Sequence, residues 1–310
     1  MSYLSGGLIQ LADYNSRITG INNLWSTGSG SNGYGQTALG SASASSIVTA
    51  TQWTTLISTM STMQQHQFNN TTGIPASPSA GSIITYLSAV DTEISSLITN
   101  KLTTAAAGTS LTTAASLATS WDGHATRTFN LTFPSADQLR YFFNAGGYIQ
   151  LNFTGTSLSG NTKSTYWNTF LTSGFGTYTL GATSSSYNGT GFTPTTNLTG
   201  SGYYNLSNNS FTTLFKMLDS PSSADYTNNF IQVDFAGGGT STNGGFGASL
   251  IANVTLRDAA ADVVNDQVTG TLTCNMVVVP PWDTTHNAGK IANSWGTYTC
   301  VANVNTQGTY

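Results

Sequence analysis

Charged residues are scarce in this sequence, and their scarcity argues against one large class of function. Only 20 of the 310 residues are charged, 8 Lys and Arg against 12 Asp and Glu, whereas soluble domains usually carry about 25%. Proteins that bind nucleic acids need clustered Lys and Arg to displace the counterions of phosphate. The eight cations are scattered, and no two of them are adjacent. We therefore expect no binding to DNA or RNA.

Long apolar runs and cysteines are scarce as well. The longest notable apolar run, Met276–Trp282, contains two prolines and is much shorter than the ~20 residues of a membrane-spanning helix, so no span is expected. The two cysteines, Cys274 and Cys300, are too few for a disulfide framework and lack the spacing of metal ligands. They either pair across adjacent strands or stay as buried thiols. The sequence favours thiols, because free Cys behaves as a small apolar residue.

Small neutral residues replace the missing charges. Ser, Thr, Asn and Gly together make up 150 of the 310 residues, while hydrophobic residues contribute 38%. That apolar share is too large for a disordered chain of low net charge. The sequence therefore predicts a folded protein that is kept in solution by hydroxyl and amide side chains rather than by ions.

Residues 1–120 contain three segments in which apolar residues recur at alternating intervals of three and four, the pattern of a helix with one narrow apolar stripe. The stripes consist of Leu11, Tyr14, Ile18, Ile21 and Trp25, then Trp53, Leu56, Met60 and Met63, then Ile83, Leu87, Val90, Ile94 and Leu97. They predict a helical region, with its third helix from about Ser82 to Asn100. Two interpretations stay open: the stripes pack on one another within one chain, or they associate with copies of the same chain.

From about residue 126 the apolar period changes to two, which indicates β-strands. The predicted strands are 129–133, 149–153, 175–180, 230–235, 250–256, 269–279 and 298–304, and short helices are predicted at 135–145 and 162–173. The sequence thus predicts an α+β fold, in which a helical N-terminal region (1–120) precedes a mainly antiparallel β-sandwich-like domain (121–310) with short inserted helices. The loops 184–202 and 237–247 are expected to be exposed.

Residues suited to acid–base or metal chemistry do not form a recognisable set. The candidates are His66, His124, His286, Asp122, Asp283, Glu93, Asp258, Asp262 and Asp266. An Asp shortly before His124 and before His286 fits the closing of a turn better than a catalytic pair. The only Glu and the three late Asp residues are expected on solvated helix faces, because no calcium loop surrounds them. The sequence predicts no enzymatic activity, no metal and no cofactor.

Two segments of the chain resemble virion structural and tail proteins of tailed bacteriophages. The first spans residues 6–66 and includes Gly6-Gly7-Leu8-Ile9-Gln10, Asp13-Tyr14-Asn15, Leu24-Trp25, Gly33-Tyr34-Gly35-Gln36 and Thr49-Ala50-Thr51-Gln52-Trp53. The second spans residues 126–175 and includes Leu139-Arg140-Tyr141-Phe142-Phe143-Asn144-Ala145-Gly146-Gly147, followed later by Trp167.

The resemblance implies a tail, neck or baseplate component of the virion, present in several symmetric copies beside other virion proteins and without a catalytic motif. It makes a trimer, joined through the helical stripes, the favoured assembly. An alternative function is a receptor-binding module whose Tyr- and Asn-rich loops, such as 184–202, contact host surface glycans by aromatic stacking and hydrogen bonds.

Overall fold

The structure is a computed structural model of the chain. It describes residues 11–28, 32–81, 87–105, 107–218, 228–238, 247–259, 267–282 and 290–308. These residues divide into two compact units. The first unit takes the chain up to Thr109 together with Arg140–Gly146 and Pro280–Trp295, and the second takes the rest. The boundary predicted at residue 120 is therefore about ten residues late, and two later segments return to the first unit.

Three helices, α1 (Leu11–Trp25), α2 (Ala50–Phe68) and α3 (Leu87–Thr99), form the first unit and run in the same direction. On α1 and α3, Arg17 Nη2 lies 2.6 Å from Asp91 Oδ2. One turn further along both helices, Gly20 faces Ile94 so closely that an added Cβ would lie 3.3 Å from its Cγ2. The same-direction arrangement requires two long return connections, 26–49 and 69–86.

The second helix contacts α1 near its start and α3 near its end. Near the start of α2, the ring of Trp53 packs edge-on against Tyr14 of α1, with 5.5 Å between centroids. Near its end, Gln67 Nε2 donates to the carbonyl oxygen of Leu97 on α3 at 2.9 Å. A capping box begins the helix, in which Thr49 accepts from the backbone N–H of Gln52 while the Gln52 side chain accepts from that of Thr49.

The apolar stripes are buried inside this unit. The buried members are Tyr14, Ile18, Ile21, Trp53, Leu56, Met60, Met63, Leu87, Val90, Ile94 and Leu97. Leu11 and Trp25 are half-buried, and Ile83 lies outside the described residues. The interpretation in which the stripes pack within one chain therefore accounts for them. Stripes that are buried within one chain leave little apolar surface for a second copy, and the trimer joined through these faces stays a prediction.

Two asparagines hold the first return connection against α1. Asn22 donates from Nδ2 to the carbonyl of Leu39 and accepts from its N–H, both at 2.9 Å. Asn15 makes the same pair of bonds with Ala42, at 3.0 and 2.9 Å. Seven helical residues and three extended residues both span about 10 Å, so both pairs form at once. An extended segment is thereby fixed along the helix.

Replacing Asn22 by Leu should destabilise the first unit, because the change removes both bonds and leaves the backbone groups of Leu39 without a partner. We expect a loss of about 1–3 kcal/mol in the free energy of unfolding, measured by urea denaturation. The control is Asn23→Leu, which alters the next residue, whose side chain is exposed. Equal losses in the two variants would contradict this role of Asn22.

The second unit consists of two antiparallel sheets. Its strands are β1 (Leu111–Leu117), β2 (His124–Thr132), β3 (Tyr148–Asn152), β4 (Ser157–Leu158), β5 (Thr177–Leu180), β6 (Ser185–Tyr187), β7 (Pro194–Asn197), β8 (Thr212–Leu218), β9 (Phe230–Gly238), β10 (Ser249–Arg257), β11 (Gly270–Val279) and β12 (Thr299–Gly308). One sheet has the order β1-β11-β3-β5-β6, with β4 paired to β11, and the other β12-β2-β10-β9-β8-β7. The predicted α+β fold with a sandwich-like domain is confirmed.

Aromatic side chains fill the space between the two sheets. The ring of Phe215 on β8 lies 5.4 Å from Phe175 and 5.6 Å from Tyr178, and Tyr178 also stacks on Phe235 at 6.1 Å. All four residues are fully buried. Because the inward side chains of both sheets are large and apolar, their burial supplies most of the stabilisation of this unit.

The apolar periodicity of the sequence predicted most, but not all, of these helices and strands. The predicted helix at 162–173 appears as α5 (Thr162–Thr169), continued by a π-helical turn at Phe170–Phe175, and the helix near 135–145 appears as α4 (Ala136–Asn144). The strands β1, β4, β6, β7 and β8 were not predicted. Two of them, β6 and β7, lie in the segment 184–202 that was predicted as a loop, although this segment is largely exposed as expected.

Candidate interaction surface

The outer face of the sheet that contains β2 is a polar surface of the second unit. Along β2 the buried residues Ala125, Arg127, Phe129 and Leu131 alternate with half-exposed ones, and β10 repeats the alternation. The outward residues of the three strands β12, β2 and β10 include His124 and Arg257, which are paired at one end of the sheet. The other outward residues are Thr299, Val301, Asn303, Thr126, Thr128, Asn130, Thr132, Ser249, Ile251, Asn253 and Thr255. We call these eleven residues the neutral face, because none of them is charged.

The register of the strands orders the neutral face in rows. Thr128 stands directly between Asn253 on β10 and Asn303 on β12, and its Oγ1 donates to Asn253 Oδ1 at 2.7 Å. Asn130 stands between Ile251 and Val301. The side chain of Val301 is 56% exposed, so an apolar side chain projects from a surface made mostly of hydroxyl and amide groups.

Besides Arg257, charges stand next to the neutral face on β9 and β8, where they have partners within the sheet. Asp234 accepts from Thr213 Oγ1 at 2.5 Å and from Gln232 Nε2 at 3.0 Å. Lys216 Nζ lies 4.0 Å from the centre of the Phe230 ring. A partner that covers the neutral face therefore meets hydrogen-bonding groups and methyl groups without having to desolvate an ion.

The histidine of the helical unit is a packed core residue. His66 is fully buried, and its Nε2–H donates to the carbonyl of Ala145 at 2.8 Å, while the ring packs edge-on to Tyr34 at 5.4 Å. Burial, together with the charge of Lys290, lowers its pKa to about 4, although the hydrogen bond to Ala145 opposes the shift. The ring is neutral at pH 7 and has no route to a substrate.

The carboxylates differ from the sequence-based expectation. Glu93 is buried rather than solvated, and desolvation raises its pKa. Asp258 is also buried, 1% exposed, where it contacts Lys163. The prediction of solvated faces was wrong for both, because each side chain points into a unit whose other elements lie far away in sequence. Asp262, Asp266, Asp283 and His286 lie outside the described residues.

His124 and Asp122 do not form an acid–base pair in the structure. His124 is exposed at the start of β2, and its backbone N–H donates to the carbonyl of Asp122 at 3.1 Å. The carboxylate of Asp122 instead lies 3.7 Å from Lys163 Nζ. The turn interpretation is confirmed for the backbone, whereas the Asp side chain is directed to a lysine.

Both cysteines are free thiols, as the sequence favoured. Burial raises the pKa of Cys274 to about 12 although the neighbouring guanidinium of Arg127 opposes the shift. Cys300 lies with its Sγ 3.5 Å from Met276 Sδ, and burial raises its pKa as well. A protonated, buried thiol is a weak nucleophile, so these groups serve packing.

Within the described ranges, no three His, Cys, Asp or Glu side chains converge to hold a metal ion. No helix among the described residues is long and apolar enough to cross a membrane.

The neutral face was not predicted from the sequence. The pattern that could have indicated it is the alternation along β2 and β10, in which the outward residues are mostly Thr, Ser and Asn.

Comparison with known proteins identifies no relative. No protein-family model, no curated protein and no solved structure matches the chain.

Proposed function

We propose that the chain is a structural component of a tailed-phage particle that acts without catalysis, by protein–protein assembly through the neutral face. The observation that carries the proposal is the neutral face itself, a three-stranded surface of Thr, Ser and Asn with a projecting Val301. The resemblance of residues 6–66 and 126–175 to virion and tail proteins supports the choice of particle.

A surface of hydroxyl and amide groups associates with a partner differently from a charged surface. Ions at an interface must lose hydration, and their attraction is screened by salt. Hydroxyl and amide groups exchange hydrogen bonds with water for equivalent bonds with a partner. Paired strands of a sandwich also hold their backbone in a fixed geometry, which lowers the entropy lost on association. A particle that meets variable salt outside the cell benefits from contacts of this kind.

A second candidate function, binding of host glycans, is favoured by a different part of the second unit. Phe211 is 48% exposed just before β8, and the adjoining turn contains Asn208 and Asn209, the latter in the left-handed conformation at φ 54°. An exposed aromatic face beside amide groups suits stacking on a sugar ring. A glycan array with the parent protein and Phe211→Ala distinguishes this function from assembly.

The assembly proposal predicts an interaction that is insensitive to salt. Affinity for partner virion proteins should change less than about twofold between ~50 and ~500 mM NaCl. The variant Asn130→Lys, which puts a charge between Ile251 and Val301, should bind at least about tenfold more weakly, because it buries an unpaired charge in the contact. Asn23→Lys on the exposed side of α1 is the matched control, and it should bind like the parent. Mass spectrometry of purified virions should detect the chain, and its absence there would contradict the proposal.

A further inference from the structure

Among the residues that the structure describes, three charged side chains of the second unit meet, in a chain with few charges. Lys163 Nζ contacts Asp258 Oδ2, and Asp122 Oδ1 lies 3.7 Å from the same nitrogen. The side chains of Lys163 and Asp258 are only 4% and 1% exposed, whereas that of Asp122 is 20% exposed. An amine and a carboxyl group are thereby held in contact, nearly out of reach of water, with a second carboxylate beside them.

Backbone and capping bonds fix each of the three residues. Asn161 caps α5 by accepting from the N–H of Ser164 at 2.7 Å, which places Lys163 in the first turn of the helix. The backbone N–H of Asp258, just after β10, donates to Gly123 O at 2.7 Å. This bond ties the Asp258 backbone to the turn that contains Asp122. The contact therefore does not depend on long mobile side chains finding one another.

Two buried indoles lie close to the cluster. Trp167 lies one turn after Lys163 on α5, and its ring packs edge-on against Trp121, the residue before Asp122, with 5.0 Å between centroids. Both indoles are buried. An ion pair in such a place keeps a large desolvation cost. Transfer of one proton from the ammonium to the carboxylate removes both charges and leaves a neutral amine against a neutral carboxylic acid.

We propose that Lys163 and Asp258 condense to an isopeptide bond inside the folded second unit. The lone pair of the neutral Nζ attacks Cγ of the protonated Asp258 carboxyl, so that an N–C bond forms and a tetrahedral carbon results. A proton then leaves the nitrogen, the leaving hydroxyl takes up a proton, and the C–O bond breaks. One ammonium and one carboxylate yield one amide and one water, with no oxidant, reductant or activating group.

Asp122 is the catalytic residue of this step, because it lies next to the reacting nitrogen. Its carboxylate accepts the proton that Nζ loses after attack and returns it to the hydroxyl that departs as water. Its partial exposure also offers the released water a path to solvent. Loss of the water from an apolar site favours the amide, since the reverse reaction needs water to return between Lys163 and Asp258.

The bond would join two parts of the sandwich covalently. Lys163 follows β4, which pairs with one sheet, and Asp258 follows β10 of the other. The closed ring includes residues 163–258, so the strands within it remain connected even after denaturation. The inference does not depend on the proposed assembly function, because the chemistry needs only the folded second unit.

Peptide mass spectrometry of the purified parent protein tests the proposal directly. After digestion, the peptides that contain Lys163 and Asp258 should appear as one branched species, about 18 Da lighter than their sum, the mass of one water. Fragmentation should place the link between these two residues. On a denaturing gel the parent should migrate faster than an unlinked chain, because the ring keeps it compact. Separate, unmodified peptides in the folded parent after prolonged incubation would overturn the proposal.

Four variants define the chemistry. Lys163→Arg and Asp258→Ala should show only unlinked peptides. Asp122→Asn should keep the Lys163–Asp258 contact but lose most of the linked product, and full linkage in this variant would overturn the role of Asp122. Lys216→Met, which alters a lysine held over an aromatic ring, should remain fully linked. If a variant fails to fold, the mass of the linked peptides in the parent still decides the outcome.

Discussion

Placing a charge at the centre of the three-helix arrangement should unfold the first unit. Val90 is fully buried on α3, the helix that packs against both α1 and α2. The variant Val90→Asp removes an apolar side chain and places a carboxylate at a fully buried position. We expect a loss of about 4 kcal/mol or more in the free energy of unfolding, seen as reduced helical circular dichroism and a lower midpoint in urea.

The same variant tests whether the stripes serve copies of the chain. If they did, Val90→Asp would give a dissociated chain that keeps its helices, and light scattering would report a lower mass with an unchanged spectrum. The matched control is Thr92→Asp, which puts the same charge on the exposed side of α3. This control should change stability by less than about 1 kcal/mol. A folded, dissociated Val90→Asp protein would contradict the intrachain packing described above.

Mild acid should destabilise the first unit through His66. The folded pKa is about 4 because burial disfavours the imidazolium, whereas an unfolded histidine has a pKa near 6.5. Below pH ~6.5 the unfolded chain binds a proton at His66 that the folded chain does not bind. The free energy of unfolding therefore decreases as the pH falls toward 4. Between pH 8 and pH 5 this linkage amounts to about 2 kcal/mol, to be measured by urea denaturation at each pH.

The control for this pH dependence is His66→Gln. Glutamine keeps an N–H donor for the carbonyl of Ala145 and does not titrate. Glu93 acts in the opposite sense, because its raised pKa lets the folded state take up a proton first and gain stability as the pH falls. Since Glu93 is present in both proteins, the difference between the two pH profiles isolates the histidine. Identical profiles would show that His66 is not buried as a neutral ring.

Periodicity predicted the elements whose own residues determine their faces. The alternation of Phe129, Leu131 and Phe133 with Thr and Asn located β2, and the stripe of Trp53, Leu56 and Met60 located α2. Strands such as β8 were missed, because bulges interrupt its alternation: the register shifts between Thr213 and Phe215. The period of two holds only where the pleat is regular.

Contacts between residues that are far apart in sequence could not be predicted from local pattern. Nothing near Glu93 indicated burial, and nothing near Lys163 indicated Asp258, 95 positions later, because such contacts arise only when the fold brings distant segments together. The asparagine pairs on α1 are an intermediate case. Asn15 and Asn22 are seven residues apart, so they share one helix face, but only the structure shows the extended segment that they hold.

Because the first unit includes segments from late in the sequence, it completes its folding late in synthesis. Its three helices are translated early, yet the unit also takes Arg140–Gly146 and Pro280–Trp295. The late segment is bound by Gln36 Nε2, which donates to the carbonyl of Ala292 at 2.9 Å. A nascent chain that has emerged only as far as α3 lacks these pieces, so the N-terminal unit reaches its final packing after nearly all of the second unit has left the ribosome. Chaperones that bind exposed apolar surface therefore have their longest opportunity at the N-terminal helices.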